Sequence, residues 1–202
     1  MAPKPKFTKQ QIIDAAFDIA VETGIGSITI RKVAERLGSS IAPIYVNFNE
    51  VEELISEVIR RIADLSREML DQQQSGEPFR DIGLASLRFA RAYSTIFKEM
   101  LLGGNQYMES YNQEMGSMLI TQMREDQALA GFSDDELGQI LLKMRIFQTG
   151  LSVMLSSDLL PPSIQEEQAI ALLDSVAEDV IRSARIRQQE TSVSSHDSPG
   201  ST

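Results

Sequence analysis

The residues of this chain best placed for chemistry suit binding rather than catalysis. Its one histidine is His196, near the C-terminal end, and it has no cysteine. No glycine-rich phosphate loop and no His/carboxylate spacing of the metal-binding kind occurs. No metal or cofactor is therefore expected, and only carboxylate- or lysine-based chemistry remains as an enzymatic alternative. The chain is read as a non-enzyme. Between residues 29 and 47 stands a group of short polar or flat side chains around Gly38: Thr29, Arg31, Ser39, Ser40, Ala42, Pro43, Tyr45 and Asn47. Thr29 at a helix start offers a hydroxyl and free backbone N–H groups, a good arrangement for an anion. Small residues at the start of the next helix let a backbone come close to base edges. Lys4, Lys6 and Lys9, just upstream, can reach phosphates. For each a plainer reading stands beside this one: Thr29 as a simple cap, Tyr45 as a half-buried packing residue, the lysines as solvated charge.

Helices must position these residues, and the sequence marks their starts. Thr8 and Gln11 form a capping box, with Phe7 and Ile12 at staple spacing, opening a helix over about 9–23 that Gly24 ends. Thr29 caps a short helix that stops at Gly38. Ser40 then caps a second short helix, 41–47, in whose first turn Pro43 costs no hydrogen bond. Asn49 with Glu52 opens a long helix, about 50–73. Further helices follow at about 78–93, 95–102, 106–128 and 133–156, the last opened by Ser133 and Glu136. Ser163 and Glu166 cap a final helix to about Arg187. The helix at 106–128 is rich in Met, and that at 133–156 is apolar nearly all round, as expected of a helix buried on several sides. The count is nine helices, with no convincing strand and no internal repeat. The fold class is all-α.

At 202 residues, 42% hydrophobic and 24% charged, the composition is that of an ordinary globular protein. No apolar run approaches the roughly 20 residues that span a bilayer, so no membrane partner is expected. The N-terminus lacks the apolar core of a secretory signal, and a cytoplasmic location is expected. The net charge of −10 is unevenly spread. Residues 1–48 carry six Lys/Arg against four acids, a net of +2, while the remaining 154 carry 13 basic and 25 acidic groups, a net of −12. A mildly basic head precedes a strongly acidic body. Residues 188–202, rich in Ser and Thr, read as a disordered tail.

Two short amphipathic helices meeting at a glycine suit a helix-turn-helix, whose second helix enters the DNA major groove. Residues 8–54 resemble the DNA-binding domain of the tetracycline-repressor-like (TetR-type) regulators. The resemblance rests on helix 1 ending at Gly24, on Thr29 through Gly38, on Ser40 through Tyr45, and on Phe48 and Leu54. It implies a flexible basic arm (1–7), a helix-turn-helix domain (8–48), a ligand-binding and dimerisation domain (49–187) and the tail. It implies phosphate contacts for Thr29, Arg31 and Tyr45, and a recognition-helix start at Ser40, Ala42 and Pro43. Lys6, Ser39 and Asn47 complete the expected DNA-binding set; an Asn can read an adenine edge. It further implies a homodimer through the last two helices, with Thr149, Gly150, Ser152, Leu173, Ala177 and Val180 at the interface. The middle helices would enclose a small apolar or aromatic effector among Phe89, Tyr93, Phe97, Met100, Tyr107, Tyr111, Met118 and Phe147. The function implied is a ligand-responsive regulator, by default a repressor, on a pseudo-palindromic double-stranded operator. One departure matters. Where such proteins offer a lysine to phosphate at the start of helix 4, this chain has Val51 between Glu50 and Glu52, which implies weaker or more salt-sensitive binding. The alternative is a helical protein-interaction module with weakened or lost DNA binding.

Overall fold

The computed structural model describes residues 6–102, 107–156, 159–161 and 163–196. Among them are nine α-helices and two short 3-10 turns: α1 (Lys9–Thr23), α2 (Ile30–Arg36), α3 (Ala42–Tyr45), α4 (Val51–Asp71), α5 (Pro78–Ala92), α6 (Ser94–Leu102), α7 (Tyr107–Met123), α8 (Asp134–Ser156) and α9 (Glu166–His196), with 3-10 turns at Ile25–Ser27 and Gln127–Leu129. The all-α, nine-helix expectation agrees with this. No helix among the described residues is long and apolar enough to cross a membrane.

The chain divides into two compact units. The first comprises Met1–Gln72 and Arg88–Gly116, the second Gln73–Leu87 and Ser117–Thr202. In the first, α1 packs on α2, α4 and α6. Its core follows the helical period: Ile12, Ala16 and Ile19 of α1 face Leu54, Val58 and Ile62 of α4, and all six are fully or nearly buried. Arg61 of α4 lies over the Phe17 ring, 4.5 Å from its centroid, and pairs with Asp14. In the second unit α8 packs on α9. Leu87, Leu151 and Ala169 form a buried cluster there, with Phe147, Leu155 and Ile170 against it.

Helix starts match the sequence signals where a reciprocal box is available and slip where it is not. At Thr8 both hydrogen bonds of the box form. At Ser133 they form too: Glu136 accepts from the Ser133 amide at 2.7 Å, and the Ser133 hydroxyl accepts from the Glu136 amide at 3.4 Å. Three caps are corrected. Ser40 caps nothing; α3 starts from Ile41 without a side-chain cap and holds only residues 42–45 as α-helix. The cap of α4 is Glu50 rather than Asn49, because Glu53, not Glu52, reaches back to the Asn49 amide at 2.9 Å. The cap of α9 lies at Gln165, whose amide donates to Gln168 at 3.0 Å, so Ser163 and Glu166 do not form it.

The last helix also runs past Arg187 to His196, where a disordered tail was expected. No Gly or Pro interrupts the chain before Pro199, so nothing stops the helix. Gln188 is held by the Gly131 carbonyl at 2.9 Å. Residues 197–202, like 1–5 of the arm, lie outside the described residues.

Candidate nucleic-acid interface

Residues 24–48 are built on two turns that glycine makes possible. Gly24 (φ +93°) ends α1, and Gly38 (φ +59°) ends α2. After α2 the Ser39 amide donates to the Ala34 carbonyl at 2.9 Å and the Gly38 amide to the Glu35 carbonyl at 3.0 Å. This pair of bonds is a Schellman motif, which needs a left-handed residue at Gly38. It turns the chain sharply into α3. The segment is anchored by buried side chains: Ile44 is fully buried and Phe48 is 1% exposed, as Val33 and Ala34 of α2 are buried too.

That anchoring sets which side chains face outward. Thr29, Arg31, Ser40, Ala42 and Tyr45 are exposed; Ser39 and Pro43 are half-buried. Ile41 and Val46 are also exposed, at 47% and 68%. The Thr29 hydroxyl accepts from the Lys32 amide at 3.2 Å and caps α2. Lys6 reaches this face, its ammonium 3.5 Å from the Ser39 hydroxyl. Asn47 is half-buried, and its side-chain amide donates to the Pro43 carbonyl at 3.3 Å, one turn back. With α3 so short, its last carbonyls lack helical partners, and Asn47 supplies one.

Cations sort into two kinds. Lys9 is neutralised by Glu57 at 2.7 Å, and Arg36 is paired with Glu22 and Asp18. The hydrogen bond from Arg36 lowers the Glu22 pKa below its ordinary value. Arg31 and Lys32 are exposed and form no ion pair among the described residues. Lys32 was not among the predicted contacts. Its position beside Arg31 in the sequence was the available signal.

A further residue of this unit escaped the sequence reading. Glu99 of α6 accepts hydrogen bonds from the backbone amides of Ile25 and, at 2.7 Å, Gly26. The Gly-Ile-Gly run was a legible sign of close approach; its partner, more than seventy residues away, was not.

The expected effector residues fall in both units. In the first, Tyr93 sits between Phe17 and Phe89, with ring centroids 6.0 and 5.3 Å away. Phe97 and Met100 are half-buried in α6. Tyr111 is buried, its hydroxyl 3.2 Å from that of Ser66. The side chain of Tyr107 lies outside the described residues. Met118 and Phe147, both half-buried, belong to the second unit. Of the expected interface residues, Thr149, Ala177 and Val180 are half-buried and Gly150 exposed. Ser152 (7% exposed) and Leu173 (2%) are instead buried within the chain's own fold. They lie on the inner faces of α8 and α9, and the helical period turns a different set outward: Leu142, Ile146, Val153 and Met154 on α8, Leu172 and Ile186 on α9.

No family model matches the chain. No curated protein matches it either. Solved structures do. A transcriptional regulator from Rhodococcus sp. RHA1 superposes with a TM-score of 0.67 at 19% identity, covering 88% of this chain and 97% of that one. A TetR-family transcriptional regulator from Streptomyces coelicolor gives a TM-score of 0.65 at 15% identity over 88% of both chains. The chain has the TetR-type fold. A TetR-family regulator from Haemophilus influenzae, with a TM-score of 0.58 at 19% identity, covers 86% of this chain and 94% of that one. Within the TetR-type fold, α2, the Gly38 turn and α3 form the helix-turn-helix, and α8 and α9 are the last two helices.

Proposed function

We propose that this protein is a ligand-responsive, DNA-binding transcriptional regulator, a repressor that binds a pseudo-palindromic operator as a homodimer. The observation that carries this reading is the outward face of the helix-turn-helix. Arg31 and Lys32 are exposed there and form no ion pair among the described residues, next to the capped start of α2, and Tyr45 and Ala42 are exposed on α3. Cations without an internal partner are available to phosphates, which fix a protein's register on the duplex. Thr29, Ser39, Ser40 and Pro43 complete the surface, and Lys6 extends it.

The dimer would form through the outward apolar stripe of α8 and α9, from Leu142 and Ile146 to Leu172 and Ile186. Leaving so many large apolar side chains in water is unusual for a monomer. A two-fold dimer presents two reading heads to two half-sites. A small apolar or aromatic effector, held among residues such as Phe89, Tyr93 and Tyr111, would release the operator by preferring one arrangement of the heads.

Fluorescence anisotropy with the duplex upstream of the protein's own gene tests this. Saturable binding is expected, weakened by Arg31→Ala and by Tyr45→Ala. Failure to bind that duplex, and a set of genomic fragments, above the level of random DNA overturns it. A second reading has its own support. Ile41 and Val46 are exposed apolar residues beside the exposed acids Glu50 and Glu52, a surface that suits a protein partner in a module that has lost DNA binding. In that case Val46→Asp abolishes capture of the partner and the anisotropy stays flat.

A further inference from the structure

Ile41 (φ −71°) and Val46 (φ −70°) flank α3 and share its backbone conformation. The helical step of about 100° per residue therefore runs from 41 to 46. With Ile44 buried, that step turns Ala42 and Val46 to the opposite side, about 160° and 200° round from it, and sets Ile41 and Tyr45 beside them. All four are exposed, Val46 most among the large ones.

The side chains of this stretch form a restricted set. Between Ser39 and Asn49 the sequence holds no Arg, Lys, Gln, Asp or Glu. Those residues tell base pairs apart by hydrogen bonds: Arg and Lys on guanine, Gln on adenine, Asp and Glu on cytosine. The two asparagines each donate an amide N–H inside the chain, Asn47 to the Pro43 carbonyl at 3.3 Å and Asn49 to Glu53 at 3.4 Å. The hydroxyls of Ser40 and Tyr45 remain, and a hydroxyl bonds several base edges and phosphates alike. The selective groups on the outward side are the branched apolar side chains of Ile41 and Val46. In the major groove their match is the C5 methyl of thymine.

Charge favours a duplex as the occupant of this surface over an apolar protein partner. Lys6 stands at the entry to α3, 3.5 Å from the Ser39 hydroxyl. Arg31 and Lys32 of α2 are exposed and form no ion pair among the described residues. Cations beside apolar side chains suit a polyanion that carries methyl groups along its groove.

We propose that α3 reads thymine, with Ile41 and Val46 each packed on a C5 methyl in the major groove. The operator half-site is then marked by thymines at the positions these two side chains reach. The inference rests on the DNA-binding reading above and adds the chemistry by which one sequence is told from another. Phosphate contacts from Arg31 and Lys32 fix the register and are indifferent to sequence; burial of the methyls supplies the discrimination.

Selection of duplexes from a random-sequence library by the full chain, followed by anisotropy, tests it. Each thymine in one half-site of the selected duplex is replaced in turn by deoxyuridine, which pairs alike and lacks only the methyl. At least two replacements are expected to weaken binding by about fourfold each, the effect of one buried carbon. Val46→Ala is expected to abolish the thymine–uracil difference at one of those positions and Ile41→Ala at another, each variant keeping the difference at the position it does not reach. Arg31→Ala is expected to weaken the thymine and uracil duplexes by the same factor. The uracil scan uses the parent chain, so it decides whether or not the variants fold. Selected duplexes that bind above random DNA, yet are indifferent to every uracil replacement, overturn the proposal and leave the DNA-binding reading standing. So does a methyl effect that survives unchanged in both alanine variants. No enrichment of any duplex overturns both readings and leaves this apolar face to a protein partner.

Discussion

Glu99 holds the backbone amides of Ile25 and Gly26, joining α6 directly to the segment that leads into the helix-turn-helix. The contact is closest where the chain has glycine on both sides of Ile25, and at Gly24 the backbone itself favours glycine. A Cβ at Gly26 would stand 3.1 Å from the carboxylate, and one at Gly24 only 2.7 Å from it, on a residue already at φ +93°.

Removing this carboxylate leaves two amides without their acceptor. Glu99→Ala is expected to cost about 1.5–3 kcal/mol, the range for hydrogen bonds to a charged group. Amide hydrogen exchange at Ile25 and Gly26 should speed up more than at Val33. Unchanged protection at those two amides would mean that the clamp holds nothing. Gly24→Ala should be at least as damaging, through backbone strain and the clash together.

Operator binding should separate the free cations from the paired ones. Arg31→Ala should lower the slope of log affinity against log salt by about 1, the release of roughly one counterion per phosphate contact. Lys9→Ala should leave the slope unchanged, since Lys9 already faces Glu57. The same slope change in both variants would remove the distinction drawn here.

Burial of the α3 anchors predicts a sharp contrast between neighbours. Ile44→Ala should destabilise by about 2–5 kcal/mol, because the side chain is fully buried. Val46→Ala, at 68% exposure, should fall within about 0.5 kcal/mol of the parent. Denaturant titrations followed by circular dichroism would measure both.

A charge on the outward face of α8 should dissociate the proposed dimer without unfolding the chain. Ile146 is 66% exposed, so Ile146→Asp costs little within the chain yet places an unpaired charge in the proposed interface. Light scattering should report a monomer with unchanged helicity. A parent protein that is already monomeric would refute the dimer.

Stability should decline on acidification through two identified carboxylates. Glu136 has a lowered pKa, first because its carboxylate accepts the Ser133 amide, and Glu22 has one because of Arg36. A carboxyl whose folded pKa lies below its unfolded value, ordinarily about 4.3 for Glu, contributes stability above that unfolded value. The contribution is lost as pH falls through the lower, folded pKa. Glu136→Gln should flatten this acid-side fall, measured as melting temperature against pH. An identical fall in the variant would exclude Glu136 as a source.

The helices themselves were legible from sequence alone, because their cause is local. Capping boxes at Thr8 and Ser133, the Thr29 cap, the glycines at 24 and 38 and the spacing of Ile12, Ala16 and Ile19 each act over a few residues. Where two acceptors competed within one turn, as Glu52 and Glu53 do for Asn49, spacing could not choose between them, and the cap slipped by one. The candidate interface was partly legible for the same reason. A short helix after a Gly turn must expose one side, and Tyr45 is on it; that Asn47 would bond its own turn depended on how early α3 ends.

What sequence alone determined is therefore the all-α class, the order of the helices and the place of the Gly38 turn between α2 and α3. Tertiary structure decided the rest, because pairing over distance has no local signature. It took Lys9 and Arg36 out of the set of free cations and left Arg31 and Lys32 in it. It turned Ser152 and Leu173 inward and Ile146 outward. It also brought Glu99 onto Gly26 and Gln148 onto Gly83, contacts across 73 and 65 residues that exist only because packed helices hold their faces in fixed register.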